Sequence, residues 1–171
     1  RLASGLRLII RENHASPTVS IVLMGAGGVR HEPAHKNGIS NLFAQMLIRG
    51  TTKRNAEAIA ATVDNMGGSL DPFSGYNSWG LQSQWLARDG RSGLALISES
   101  ALHPTFPATE LKRLQSQTTA QIRARDDDPM SAASKLLRST LFGDHPYGRP
   151  ALGTAASVAS VTATDLRHYW S

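Results

Sequence analysis

Apolar and polar positions change period several times along the chain, and each change marks an element. Gly5 to Arg11 alternates and then turns apolar at Leu8, Ile9 and Ile10, which predicts a strand. Asn13 to Pro17 reads as a turn. Thr18 to Ala26 is β-branched and almost uninterrupted, the pattern of a central strand covered on both faces. Gly27 to Lys36 reads as a loop. In Asn37 to Arg49, Ile39, Leu42, Phe43, Met46 and Leu47 fall on one helical face, and Gly50 ends the helix. Asn55 to Met66 predicts a second helix with Asn55 as N-cap, stopped by Gly67 and Gly68. Ser69 to Ser74 and Ser78 to Leu86 predict strands joined by the turn Gly75-Tyr76-Asn77. Helices follow over Leu94–Leu102, Thr109–Arg125 and Ser131–Leu141, with an acidic turn at Asp126–Asp128. Phe142 to Gly153 is a loop, and Thr164 to Tyr169 is a last helix capped by Thr162 or Thr164.

Strands followed by helices predict an α+β fold: a mixed, mainly antiparallel sheet with helices packed on one face. The 171 residues fit a single domain, 1–171. A pattern that closes on a helix predicts a sheet lacking its last strand or strands, so the chain reads as a fragment of a longer one.

Charge and composition narrow the function classes. There are 18 Lys and Arg against 13 Asp and Glu, a formal charge of +5, but no basic run, so the surface is expected to be solvated and no nucleic acid is expected as a partner. No apolar stretch is long enough to span a bilayer, and no membrane insertion is expected. The absence of cysteine excludes disulfides, thiolate nucleophiles and Cys-type zinc sites. It assigns no compartment, and bacterial periplasm and cytoplasm both stay open.

His31-Glu32-Pro33-Ala34-His35 satisfies H-E-x-x-H, which binds zinc when both histidines share a helical face and the Glu acts as general base. Pro33 sits between them, and the helical period begins only after Asn37-Gly38, so two loop histidines are expected here. His14, His103, His145 and His168 stand singly. No G-x-S-x-G elbow is present. Gly25-Ala26-Gly27-Gly28 lacks the spacing and the Lys of a phosphate loop, and predicts a tight turn. Asp126-Asp127-Asp128 lacks the spaced ligands of a calcium loop.

The stretch from Asn37 to Thr51, NGISNLFAQMLIRGT, resembles the insulinase/pitrilysin signature N-G-I-A-H-F-L-E-H-M-L-F-K-G-T. Further segments resemble that family in the same order. They are Leu2 to Leu8, Gly67-Gly68-Ser69-Leu70, His103-Pro104-Thr105-Phe106, Gln121-Ile122-Arg123 with Asp127-Asp128-Pro129, Pro146-Tyr147-Gly148 with Gly153, and Thr162 to Leu166. The family is also similar to mitochondrial processing peptidase and to core subunits of respiratory complexes. The resemblance implies the family's lobe, which occurs in pairs or quartets enclosing a chamber for unfolded peptides.

The family's inverted H-x-x-E-H motif takes two histidines as zinc ligands and the Glu as general base. The resemblance puts Asn41 and Gln45 at the ligands, Ala44 at the base and Gln121 at the third ligand, with Leu114 at a further acidic position. Neutral amides are poor zinc ligands, and an alanine cannot take a proton from water. Asn41, Gln45 and Gln121 are expected to hydrogen-bond one another instead. The resemblance also makes Asp71-Pro72-Phe73-Ser74 the peptide-facing edge strand. Pro72 lacks an N–H there, and its effect depends on whether that nitrogen faces the free edge.

The expected function is a non-catalytic lobe without catalytic residue, metal or cofactor. It would pair with an active insulinase-like zinc peptidase lobe or subunit and meet unfolded peptides. The rivals are an active zinc metalloendopeptidase, with zinc as its cofactor, and a purely structural assembly subunit.

Overall fold

The structure is a computed structural model that describes residues 1–3 and 5–171; Ser4, within the segment Leu2 to Leu8, lies outside it. Strands β1 (Thr18–Ala26), β2 (Ser69–Ser74) and β3 (Ser78–Leu86) have the bounds their patterns predict. They form one antiparallel sheet in the order β1-β3-β2. The turn between β2 and β3 closes with Gly75 N–H donating to Ser78 O at 2.9 Å.

Two expectations about the sheet are corrected. Residues 5–11 form no regular element, and Leu6, Leu8, Ile9 and Ile10 are exposed. Among the described residues they pair with no strand, although β1 leaves its outer edge free. β1 is an edge strand, not a central one, and its exposure alternates along its whole length, leaving Val22 and Met24 59% and 61% exposed. An apolar run records β-propensity but not which face or edge is covered.

The helices are α1 (Ile39–Met46), α2 (Ala56–Asn65), α3 (Gly90–Leu102), α4 (Ala108–Asp127), α5 (Pro129–Phe142), α6 (Ala155–Ser160) and α7 (Ala163–Trp170). Short 3-10 turns at Val29–His31 and Ala34–Lys36 occupy the loop before α1. Asn55 caps α2, its Oδ1 accepting from Ala58 N–H at 2.8 Å. The acidic turn divides: Asp126 and Asp127 finish α4, and Asp128 caps α5 by accepting from Ser131 N–H. Thr162, not Thr164, caps α7 in a reciprocal box with Asp165. α6 was not expected from the pattern, because a six-residue helix with one large apolar residue has no measurable period. Its capping box of Thr154 and Ser157 is the local signal for it.

The core lies on one face of the sheet. Leu42, Phe43 and Met46 of α1 and Leu47 just after it are fully buried in one cluster with Leu81 and Trp85 of β3, Leu111 and Leu114 of α4 and Leu166 of α7. The Trp85 indole lies against α3 where Gly93 has no side chain; a Cβ there would be 2.3 Å from Trp85 Nε1. Phe106 has a left-handed backbone (φ 49°) and a buried ring 5.8 Å from that of Phe43, so packing holds the chain in a region a bulky residue otherwise avoids. α5 buries no residue, and Met130, Leu136, Leu137 and Leu141 are exposed. Among the described residues no helix is long and apolar enough to cross a membrane.

Candidate functional site

The site predicted from sequence centres on α1. Its apolar face is anchored in the core, which leaves Asn41 and Gln45, four residues apart, together on a half-buried flank. Ala44, between them, is buried at 1% exposure. On α4 the positions turned inward are Leu111, Leu114, Thr118 and Ile122, so Gln121 is exposed. Leu114 is a core residue. Arg49 ties the end of α1 to α4, donating from Nη1 to Glu110 and from Nη2 to Gln117 Oε1, both at 3.3 Å.

Among the described residues the side chains of Asn41, Gln45 and Gln121 make no hydrogen bond with one another, which corrects the expected amide network. The helical period of α4 gives the inward place to Ile122 and turns the neighbouring amide outward.

These four positions do not fit a zinc ion. They offer three neutral amides and a methyl group, with no carboxylate or imidazole to offset a +2 charge. Among the described residues no three His, Cys, Asp or Glu side chains converge in a way that could hold a metal.

The H-E-x-x-H stretch is split by its own geometry. His31 and His35 lie exposed on separate 3-10 turns, whereas Glu32 is 5% exposed and points at the start of α1. Its Oε2 accepts from Asn37 Nδ2 at 2.7 Å and from Gly38 N–H at 2.8 Å, and its Oε1 accepts from Ser40 N–H at 3.0 Å. The carboxylate thus satisfies donors that a helix N-terminus leaves without partners, where negative charge is favoured. Gly38 makes this possible: its φ is +95°, and a Cβ would meet Leu152 O at 2.5 Å.

Beside Glu32, the Tyr169 hydroxyl accepts from Gly28 N–H at 3.1 Å and pairs with Ser40 Oγ at 2.7 Å. Burial raises the phenol above its ordinary pKa, against the pull of those hydrogen bonds. This cluster was not identified from sequence, although an acid just ahead of an Asn-Gly helix start is a legible signal.

The peptide-facing segment lies on β2, at an edge of the sheet beside α1. Asp71 is exposed, and Pro72, Phe73 and Ser74 are half-buried. The Gly75–Ser78 bond fixes the alternation of the β2–β3 ladder. Counting back, Phe73 faces Gly80 in a hydrogen-bonded pair, and Pro72 faces Leu81 in a non-hydrogen-bonded one. The Pro72 nitrogen therefore points to the free edge. Leu70, Pro72 and Ser74 present their carbonyls there, but only Leu70 and Ser74 present an N–H.

With this geometry in view, the family model for insulinase (peptidase family M16) matches residues 7–155, most of the chain. The chain belongs to the insulinase family. It is 29% identical to the uncharacterized zinc protease YmxG of Bacillus subtilis (strain 168) over 166 residues, covering 97% of this chain and 41% of that protein. An uncharacterized zinc protease of Mycobacterium leprae (strain TN) is also 29% identical, over 98% of this chain and 38% of that one. The chain thus spans about two fifths of the relatives it matches.

Among solved structures, a peptidase M16 inactive domain from Pseudomonas fluorescens superposes with a TM-score of 0.83 at 26% identity, covering 91% of this chain and 38% of that chain. The periplasmic protease PqqL of Escherichia coli gives 0.84 at 21% identity over 92% of this chain and 18% of that chain, a likeness of fold. A chain of complex III from Candida albicans gives 0.65 at 24%, covering 91% of this chain and 35% of that one, again a likeness of fold.

Proposed function

We propose that this insulinase-family lobe is non-catalytic and pairs with an active zinc peptidase lobe or subunit to form a peptide-degrading or peptide-processing chamber. The observation that carries the reading is the chemistry at α1 and α4: Asn41, Gln45 and Gln121 at the ligand positions and a buried Ala44 at the base. Ala44 leaves no group to activate water. What remains is the lobe's shape, an edge strand and apolar surface available for a neighbour.

That surface supports the pairing. Leu136, Leu137 and Leu141 of α5 are 65 to 69% exposed, and Ile9 and Ile10 are more exposed still. Apolar patches of this kind mark interaction sites on soluble proteins. The likeness to a peptidase M16 inactive domain from Pseudomonas fluorescens supports the same reading, and the likeness to the first half of PqqL (TM-score 0.82 at 21% identity) is one of fold.

The relatives named zinc proteases favour a second reading, in which the parent protein hydrolyses peptides with its own zinc. One measurement separates the two. The purified protein is equilibrated with zinc, stripped of excess and analysed for metal. The non-catalytic reading expects no retained zinc and no cleavage of a fluorogenic peptide until a family member with an intact H-x-x-E-H is added. One tightly held zinc per chain overturns it.

A further inference from the structure

A cavity of about 360 Å³ lies between α4, α5 and the loop from Gly148 to Gly153. Its charge is one-sided. Arg125, Lys135, Arg138 and Arg149 line it, against the single acid Asp126. Asp126 is already engaged by Lys135 at 2.6 Å. Arg149 is held in place, its Nη1 donating to the Glu32 carbonyl at 3.0 Å. The Arg138 guanidinium lies 4.9 Å above the Tyr76 ring, which fixes its plane without using its charge on an anion. Among the described residues neither Arg125 nor Arg138 has a carboxylate partner. Ile122, Pro150 and Leu152 supply an apolar wall.

We propose that this cavity binds the carboxylate of a peptide, with Arg125 and Arg138 taking the charge and the Ile122–Leu152 wall taking the attached apolar stem. A planar guanidinium matches a carboxylate with two parallel N–H bonds, and a cavity of this size suits a side chain or a chain terminus. The peptide character comes from position. Tyr76 forms part of the lining and lies only two residues beyond Ser74, the end of β2. One wall of the cavity, Tyr76, therefore stands within about two residue lengths, roughly 7 Å, of the last residue of β2. The proposal rests on the reading of this lobe as part of a peptide chamber.

The shared chemistry is a carboxylate, from a chain terminus or an acidic side chain. Fluorescence polarisation of the purified protein would use three labelled extended peptides: one ending in Leu with a free carboxylate, the same peptide amidated, and an amidated one ending in Glu. The free acid should bind at least about tenfold tighter than its amide, and that preference should vanish in the R125Q/R138Q variant. Both arginines are exposed and, among the described residues, without a carboxylate partner, and R138Q gives up only a stacking contact on Tyr76 worth about 0.5–1 kcal/mol, so the variant should melt within a few degrees of wild type. Tight binding of the amidated Glu peptide supports the site and assigns it to acidic side chains. Equal binding of all three overturns the carboxylate site but leaves peptide capture standing. Binding of none overturns the site and the peptide-holding role together, and the zinc analysis still reports separately on catalysis.

Discussion

Removing the Glu32 side chain tests whether it is structural. Three donors converge on its buried carboxylate: Asn37 Nδ2, Gly38 N–H and Ser40 N–H, at 2.7 to 3.0 Å. Glu32→Ala leaves all three without an acceptor in a site closed to water. An orphaned buried donor costs about 1–3 kcal/mol, and relief from burying the charge returns part of that. Three such donors less that relief leave a net loss of about 3–5 kcal/mol. For a domain of this size each kcal/mol lowers Tm by roughly 2–4 °C, so the variant should melt about 6–20 °C lower. Glu32→Gln keeps the shape but sets its amide NH₂ against one of the donors, and should fall between. Urea and thermal unfolding followed by circular dichroism would measure both. A Glu32→Ala variant within about 1 kcal/mol of wild type would refute the capping role and return Glu32 to the chemistry its H-E-x-x-H spacing suggests.

Gly93→Ala places a Cβ 2.3 Å from the Trp85 indole, and should cost about 1–3 kcal/mol with a shift in Trp fluorescence; a neutral result would mean that α3 can move off the sheet. The Lys36 ammonium, and then Thr162, hold the Asp165 carboxyl down at about 2 from its ordinary 3.8. A depressed carboxylate stabilises the fold above its unfolded pKa and loses that contribution as pH falls through the folded one, so the loss should come between about pH 4 and pH 2. The group is partly open to solvent, so its share is about 1 kcal/mol at most, and Asp165→Asn should flatten stability over that window. Pro72→Ala restores an N–H at the free edge and should tighten binding of an extended peptide up to about tenfold; unchanged affinity would mean that peptides do not add to β2. Thr154→Ala removes the α6 cap and should cost about 1 kcal/mol, read from the urea midpoint.

What the sequence determined by itself was set by local chemistry. The bounds of all three strands, the helical face of α1, the Asn55 cap and the α+β class follow from period, propensity and capping residues, which act over a few neighbours. The absence of carboxylate and imidazole at Asn41, Ala44, Gln45 and Gln121 was equally legible, because residue type settles ligand chemistry before any fold exists. Tertiary structure decided the rest. Leu6 to Ile10 has the propensity of a strand but pairs with none, and β1 has the composition of a central strand at an edge. Gln121 turns outward because Ile122 holds the inward place beside it. Glu32 looks like a catalytic base in the sequence and becomes a helix cap because the chain folds back onto Gly38 and Ser40. Whether Pro72 blocks the free edge depended on ladder alternation, and the basic cavity joins residues from Tyr76 to Gly153 that have no local relation. Pairing, burial and charge convergence are properties of the packed chain, and no window of sequence contains them.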